Sequence, residues 1–360
     1  MDQHNLGWCP EWDRLVQPHS DQIIARITSR HKHQYKAITT QGTLLNCYIA
    51  GKLQHQISVG ANLPAVGDWC FLSDIFIDES NAQASKIVSV LPRRSKIARM
   101  GAGSDSGEQV LAANVDNLFI VTSVNRDFNI NRLRRYLLLS EHGGTRPVII
   151  LSKADLDSAE ALNDEEQVRQ AFPSVECISS SSITLAGLEQ IKSLITVGST
   201  SVFVGSSGVG KSTLVNRLTE SEVQKTAAVR EDDQRGRHTT SGAGLFFAIT
   251  GGMIIDTAGL REVNVMGDEE DLHKLLPAVN VLAAECKFSN CSHNSEPGCA
   301  VLGALESGGL EHDELANYTK LEREIAYSKR KIDQSAANDE RKRWKKITVQ
   351  NRQRKKSDGF

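Results

Sequence analysis

Residues 205–213 read Gly-Ser-Ser-Gly-Val-Gly-Lys-Ser-Thr, between an apolar run at 202–204 and an amphipathic stretch at 211–219. Strand, Gly-rich turn and helix form the setting in which GxxxxGKS holds a phosphate. The backbone N–H groups of Gly205, Ser206, Ser207, Gly208, Val209 and Gly210 are expected to curl around a β-phosphate, with Lys211 on the β and γ oxygens. Ser212 is the Mg²⁺ ligand, Thr213 follows it, and the helix directs its positive end at the anion.

Outward from this loop the chain alternates short apolar runs with amphipathic stretches. Strands are expected at 117–124, 147–151, 175–179, 201–205 and 253–256, and helices at 130–141, 159–171, 185–195 and 211–219. That alternation predicts a parallel sheet covered on both faces. Ser152-Lys153-Ala154-Asp155 closes one of these strands and resembles a guanine-reading motif. Its carboxylate would accept the N1–H and N2–H₂ donors of guanine, a pair that adenine lacks, and the stem of Lys153 would lie along the base. Ser152 stands where Asn or Thr is usual, so weaker loop-fixing hydrogen bonds are expected. Ser179 and Ser180 open a run of four serines and are assigned to the loop that closes over the base.

Asp256-Thr257-Ala258-Gly259 matches DxxG: Asp256 holds Mg²⁺ through water, and the Gly259 amide meets the γ-phosphate. Between the P-loop and DxxG, residues 230–240 form a polar first switch. Thr239 or Thr240 should reach Mg²⁺ and the γ-phosphate, with Thr240 favoured. Base motif, base loop, P-loop, switch and DxxG therefore follow one another in a circularly permuted order. Permutation spares the site, because every motif still ends a strand of one sheet.

At 360 residues the chain exceeds one hydrophobic core, and three regions are expected. Residues 1–97 comprise an N-terminal extension and β-rich runs that suggest an OB-like barrel. Residues 98–266 form the permuted GTPase, and residues 267–360 a helical zinc-binding region with a basic tail. Cys286, Cys291, His293 and Cys299 fall within fourteen residues, the donor set of a closed structural zinc site. The other cysteines, Cys9, Cys47, Cys70 and Cys177, read as buried apolar residues or free thiols.

The formal net charge of -2 hides two basic ends. Residues 341–360 hold nine Lys or Arg against one acid, and residues 22–67 hold five basic side chains and no acid. Both suit RNA; the plain alternatives are a solvated tail and a structural barrel. No stretch is apolar enough for a membrane span, no leader pattern opens the chain, and a cytoplasmic location is expected.

Taken together, the motif order, Gly236-Arg-His-Thr-Thr240, Asp256-Thr-Ala-Gly259 and the Cys/His spacing resemble the circularly permuted small-ribosomal-subunit biogenesis GTPases (RsgA, also called YjeQ). The resemblance runs from about residue 21 to the end. It implies an OB barrel, a permuted GTPase and a zinc domain, and a cytoplasmic monomer with Mg²⁺ beside GTP and one structural Zn²⁺ per chain. It further implies a slow GTPase stimulated by the 30S subunit, acting late in its maturation through 16S rRNA and leaving on hydrolysis to GDP. Leu260 follows DxxG where many GTPases place the Gln that orients water. The hypothesis is that His238 takes that catalytic part beside Thr240; the alternative is a solvent-exposed histidine. A non-enzymatic RNA-binding factor and a large-subunit GTPase are the other readings, and intact Lys211, Ser212 and Asp256 oppose the first.

Overall fold

The computed structural model describes residues 3–15, 23–31, 34–56, 63–78, 81–100, 108–124, 128–155, 159–219, 243–257 and 267–331. These fall into two compact units, the first built from residues 1–55, 64–98 and 110–263, the second from 56–63, 99–109 and 264–360.

In the first unit, β1 (Ile23–His31), β2 (Gln34–Thr39) and β3 (Leu44–Ile49) form an antiparallel meander. A short helix α2 (Gly51–Gln56) precedes β4 (Trp69–Leu72), β5 (Phe76–Ile77) and β6 (Gln83–Val90). Strand β6 runs parallel to β3 and antiparallel to β4, and β4 returns to β1, closing a five-stranded barrel. Its interior is apolar: Ala25, Ile27, Tyr35, Leu45, Cys47, Cys70, Leu72 and Ile87 are buried. Burial pushes the Cys47 thiol up to about 12. The chain start, a 3₁₀ turn (Gln3–Leu6) and α1 (Pro10–Leu15), sets Trp8 and Trp12 against Trp69, with Trp8 edge-on to Trp69 at 4.8 Å.

Strands β7 (Lys96–Met100) and β8 (Glu108–Ala113) follow the barrel in the chain. The α/β layer then comprises β9 (Asn117–Ser123), α3 (Ile130–Gly143), β10 (Arg146–Ser152), α4 (Ala159–Ala171), β11 (Glu176–Ser180), α5 (Leu188–Leu194), β12 (Thr200–Val204), α6 (Lys211–Leu218), β13 (Ala243–Phe247) and β14 (Met253–Asp256). The strand order is β11-β10-β9-β12-β14-β13, parallel except for antiparallel β13. Every residue of β9 is buried, as a central strand covered on both faces requires, and Phe119 stacks on Phe203 of β12 at 4.8 Å. Helix α3 starts at Asn129, whose side chain accepts from the Arg132 N–H, and ends at left-handed Gly144. Helix α5 begins three residues later than its apolar pattern predicts. Leu185 and Gly187 both have positive φ, and a Cβ at Gly187 would lie 2.3 Å from the Ser179 carbonyl oxygen.

The two sheets are one. Strand β1 pairs antiparallel with β13 at Ser29–Gly244 and Arg30–Ala243. Beside this seam Arg26 is fully buried. Its guanidinium donates to the carbonyls of Leu6 (2.6 Å), Gly67 (3.1 Å) and Asn114 (3.2 Å) and to Thr200 Oγ1 (2.9 Å). Burial lowers its pKa to about 10, and Asp116 and Asp68 oppose that shift. Asp68, buried as well, pairs with Arg93 at 2.7 Å. One of the five basic side chains of the acid-free segment is therefore an internal fastener, not part of a surface.

In the second unit a capping box, Asp268 with Asp271, opens α7 (Glu269–Leu275), and Pro277 opens α8 (Pro277–Ala284). Helix α9 (Ala300–Ser307) and a helix at 312–331 follow. In the latter Tyr318, Leu321 and Ile325 are buried at helical spacing, so one face carries the core.

Arg26→Leu leaves the Leu6 and Asn114 carbonyls without the guanidinium donor, while the Gly67 carbonyl keeps the Asn114 side-chain N–H. Equilibrium urea unfolding is expected to show a loss of roughly 3 kcal/mol or more, since each orphaned acceptor costs about 1–3 kcal/mol.

Candidate functional site

Parallel pairing sets the site. Ser123 of β9 stands beside Ser152 of β10, and Val204 of β12 beside Ile120, so the loops after β9, β10 and β12 leave from one edge of the sheet. Gly205 (φ 141°) makes the tight exit from β12, where a Cβ would lie 2.1 Å from the Val121 carbonyl oxygen. The loop then runs into α6, whose first residues are Lys211, Ser212 and Thr213. The Lys211 ammonium reaches back across the loop, donating to the Gly205 carbonyl at 2.8 Å and to that of Ser206. Val209 is buried beneath it, within the core that includes Val121, Leu214 and Leu218.

The base motif lies against this loop. The Ser152 hydroxyl, buried, points to the Val209 carbonyl at 2.6 Å and the Thr122 carbonyl at 3.2 Å. Weaker loop-fixing bonds were the expectation at this serine; its single hydroxyl proton lies nearest the P-loop at Val209, with β9 at Thr122 also within reach. The reason is register: the end of β10 stands beside the end of β9, close enough for one short hydroxyl to span. Lys153 takes a left-handed φ of 62°, turning the chain so that Asp155 follows, and the Ala154 N–H donates to the Ser180 carbonyl at 3.1 Å.

The serines of the run have different partners. The Ser179 hydroxyl donates to Glu165 of α4 at 2.7 Å, and Ser180 contributes its backbone carbonyl. Ser181 is the residue that orients Asp155: its Oγ donates to Oδ1 at 2.6 Å and accepts from the N–H groups of Ile183 and Thr184, both at 3.1 Å. Four consecutive serines carry no mark of which one faces inward, so only the loop geometry could find it. A second residue without a motif is Arg132 of α3, whose Nη1 donates to the Ser206 hydroxyl. Asp256 ends β14, the neighbour of β12 on the far side from β9. Gly259, Leu260, His238, Thr239 and Thr240 lie outside the described residues, as do residues 341–360.

In the second unit the side-chain donors of Cys286, Cys291, His293 and Cys299 all lie within 4.8 Å of one another. Cys286 Sγ is 3.8 Å from Cys299 Sγ and 3.6 Å from His293 Nδ1, which is 3.4 Å from Cys299 Sγ. A tetrahedron with Zn–S of about 2.3 Å has S–S edges of about 3.8 Å, so the donor set fits zinc in size as in chemistry. Cys299 is also the N-cap of α9, its sulfur accepting from the Leu302 N–H. Glu296 braces the ligand loop by accepting from the N–H groups of Ser292, Asn294 and Ser295. Those bonds, led by the Ser292 hydroxyl, hold its carboxyl well below the usual range.

Residues 90–266 match the RsgA GTPase family. A small ribosomal subunit biogenesis GTPase RsgA of Opitutus terrae is 37% identical over 100% of this chain and 99% of its own length. This chain belongs to the RsgA GTPase family. The small ribosomal subunit biogenesis GTPase RsgA 2 of Lactiplantibacillus plantarum is 42% identical over 85% of this chain and 84% of that protein. Among solved structures, YjeQ from Thermotoga maritima shares the fold with a TM-score of 0.61 at 24% identity, covering 85% of this chain and 99% of that one. YloQ, a circularly permuted GTPase, does so with a TM-score of 0.57 at 22% identity, over 86% and 98%.

Two outcomes are expected. Ser152→Ala strands the buried Val209 carbonyl, so affinity for fluorescent GDP should fall about tenfold, the scale of one such bond. Elemental analysis by mass spectrometry of purified protein should find one zinc per chain, and Cys291→Ser should lose it.

Proposed function

We propose that this chain is a GTPase of small-ribosomal-subunit maturation. It binds GTP at the edge shared by β9, β10 and β12, turns it over slowly alone, and does so faster on the 30S subunit, which it leaves on hydrolysis to GDP. The observation that carries the nucleotide reading is the bond from Ser152 to the P-loop beside a Ser181-oriented Asp155. A guanine reader thus sits next to a phosphate loop, although it precedes that loop in the chain. The ribosomal part rests on relatives of that name matched nearly end to end.

In this reading the Asp155 carboxylate accepts the guanine N1–H and N2–H₂. The amides of 205–213 cradle the phosphates and Lys211 neutralises their outer oxygens. Ser212, Thr240 and Asp256 would hold Mg²⁺, which would supply positive charge to the phosphates. The Gly259 amide meets the γ-phosphate. Leu260 cannot orient water, and His238 takes that part once the subunit orders the switch. Residues 1–97, the barrel region, and 267–360, a zinc-centred region with its basic tail, grip 16S rRNA, and in the chain they precede and follow the GTPase region 98–266. Zinc in the Cys₃His set is structural, since four protein ligands leave no position for substrate. The protein works as a cytoplasmic monomer; no helix among the described residues is long and apolar enough to cross a membrane.

Multiple-turnover phosphate release with purified 30S subunits, 50S subunits or neither is the test. The rate is expected to rise roughly a hundredfold or more with 30S only, and most of that rise should disappear in His238→Ala, the scale of one group that positions and deprotonates water. Equal stimulation by 50S, or none by either, would overturn the assignment.

A further inference from the structure

We propose that Arg132 is a specificity-determining residue that favours GTP over GDP, by placing a second positive charge at the outer-phosphate end of the P-loop. The inference rests on the reading of residues 205–213 as the nucleotide's phosphate site.

Arg132 is the third residue of α3, in a first turn that holds no acidic residue. A cation at that end of a helix opposes the helix dipole, so helix stability gives no reason for the charge. Its place in the fold does. Helix α3 follows β9, the neighbour of β12, and its N-terminus is fixed by the Asn129 cap, 3.0 Å from the Arg132 N–H. From there the guanidinium reaches across to the Ser206 hydroxyl.

Lys211 serves the β and γ oxygens of a bound nucleotide. Its ammonium lies against the Gly205 and Ser206 carbonyls, so Ser206 marks the outer end of the phosphate site. Arg132 and Lys211 therefore bring two positive charges to one residue, Ser206. An anion at that end of the loop is attracted by both charges. GTP brings an additional phosphoryl group, with its negative charge, to that end of the loop, whereas GDP stops short of it. The planar guanidinium fork can hold the serine and an anion together, which a single donor could not. Arg132 thus distinguishes the two nucleotides by charge at the γ position and contributes little to holding the β-phosphate, which the loop amides already surround.

The test is equilibrium titration of full-length protein with fluorescent GDP and with the fluorescent β,γ-imido analogue of GTP. Arg132→Gln and Arg132→Met are made in parallel, so that a folding failure in one leaves the other, and Arg132→Lys keeps the charge. In the neutral variants affinity for the imido analogue is expected to fall about tenfold, the scale of one charge-assisted hydrogen bond, while GDP affinity stays within about twofold. Arg132→Lys should retain most of the preference. Equal losses for both nucleotides would make Arg132 a mere support of the loop and overturn the proposal, as would unchanged binding of the analogue. Wild-type protein that binds neither nucleotide would overturn the phosphate-site reading itself.

Discussion

Parallel strands ending in register are the constraint from which the nucleotide site follows. Because Ser152 stands beside Ser123 and Val204 beside Ile120, three loops emerge at one edge with no long excursion. The register is held by bulk apolar packing: β9 is buried along its whole length, and Phe119 and Phe203 stack across the pair. A one-residue slip in a parallel pair would turn every side chain to the opposite face. It would also separate the Ser152 hydroxyl from the Val209 carbonyl. The chemistry at the edge is therefore specified by the core beneath it, and chain order is irrelevant to it. That is the physical reason a permuted order is tolerated: cutting and rejoining loops changes connectivity but leaves the strand neighbours, and so the site, in place.

The barrel is attached by a different kind of bond. Strand pairing between β1 and β13 covers two residue pairs, too little to fix an interface by itself. Arg26 adds directional bonds to the chain start, to the loop before β4 and to β12. Its depressed pKa records the cost of burying that charge, a cost offset only because each acceptor is in place. The guanidinium thereby ties three separate segments of the chain at one point beside the seam.

What could be read from the sequence follows from how local each signal is. The P-loop was legible because its chemistry requires fixed spacing within nine residues between a strand and a helix. The Cys/His cluster was legible for the same reason: four potential donors within fourteen residues need only a short loop to converge, and they do. Ser181 was not, because four adjacent serines are chemically identical and only the turn at Leu185 and Gly187 decides which one faces Asp155. Arg26 was misplaced for the opposite reason. A basic residue in an acid-free stretch is ordinarily solvent-facing, and its partners lie 20 to 227 residues away in the chain. Arg132 carried no local signal at all; its bearing on the P-loop depends on β9 and β12 being neighbours, a fact of topology rather than of motif.

The joined sheet gives the permutation a mechanical consequence. Thr219, just after the P-loop helix, bridges to Ala248 just past the end of β13, and β13 begins at Ala243. Ala243 pairs with Arg30 of the barrel, and its neighbour Gly244 pairs with Asp256 as well as with Ser29. Gly244 is thus held on one side by the strand that ends in DxxG and on the other by a barrel strand. Backbone hydrogen bonds are short-ranged and directional, so a displacement at residue 243 or 244 must either carry β1 with it or break the pairing. Barrel and nucleotide edge are thereby two ends of one covalent and hydrogen-bonded element. Whatever holds β1 in place therefore also restrains residues 243 and 244.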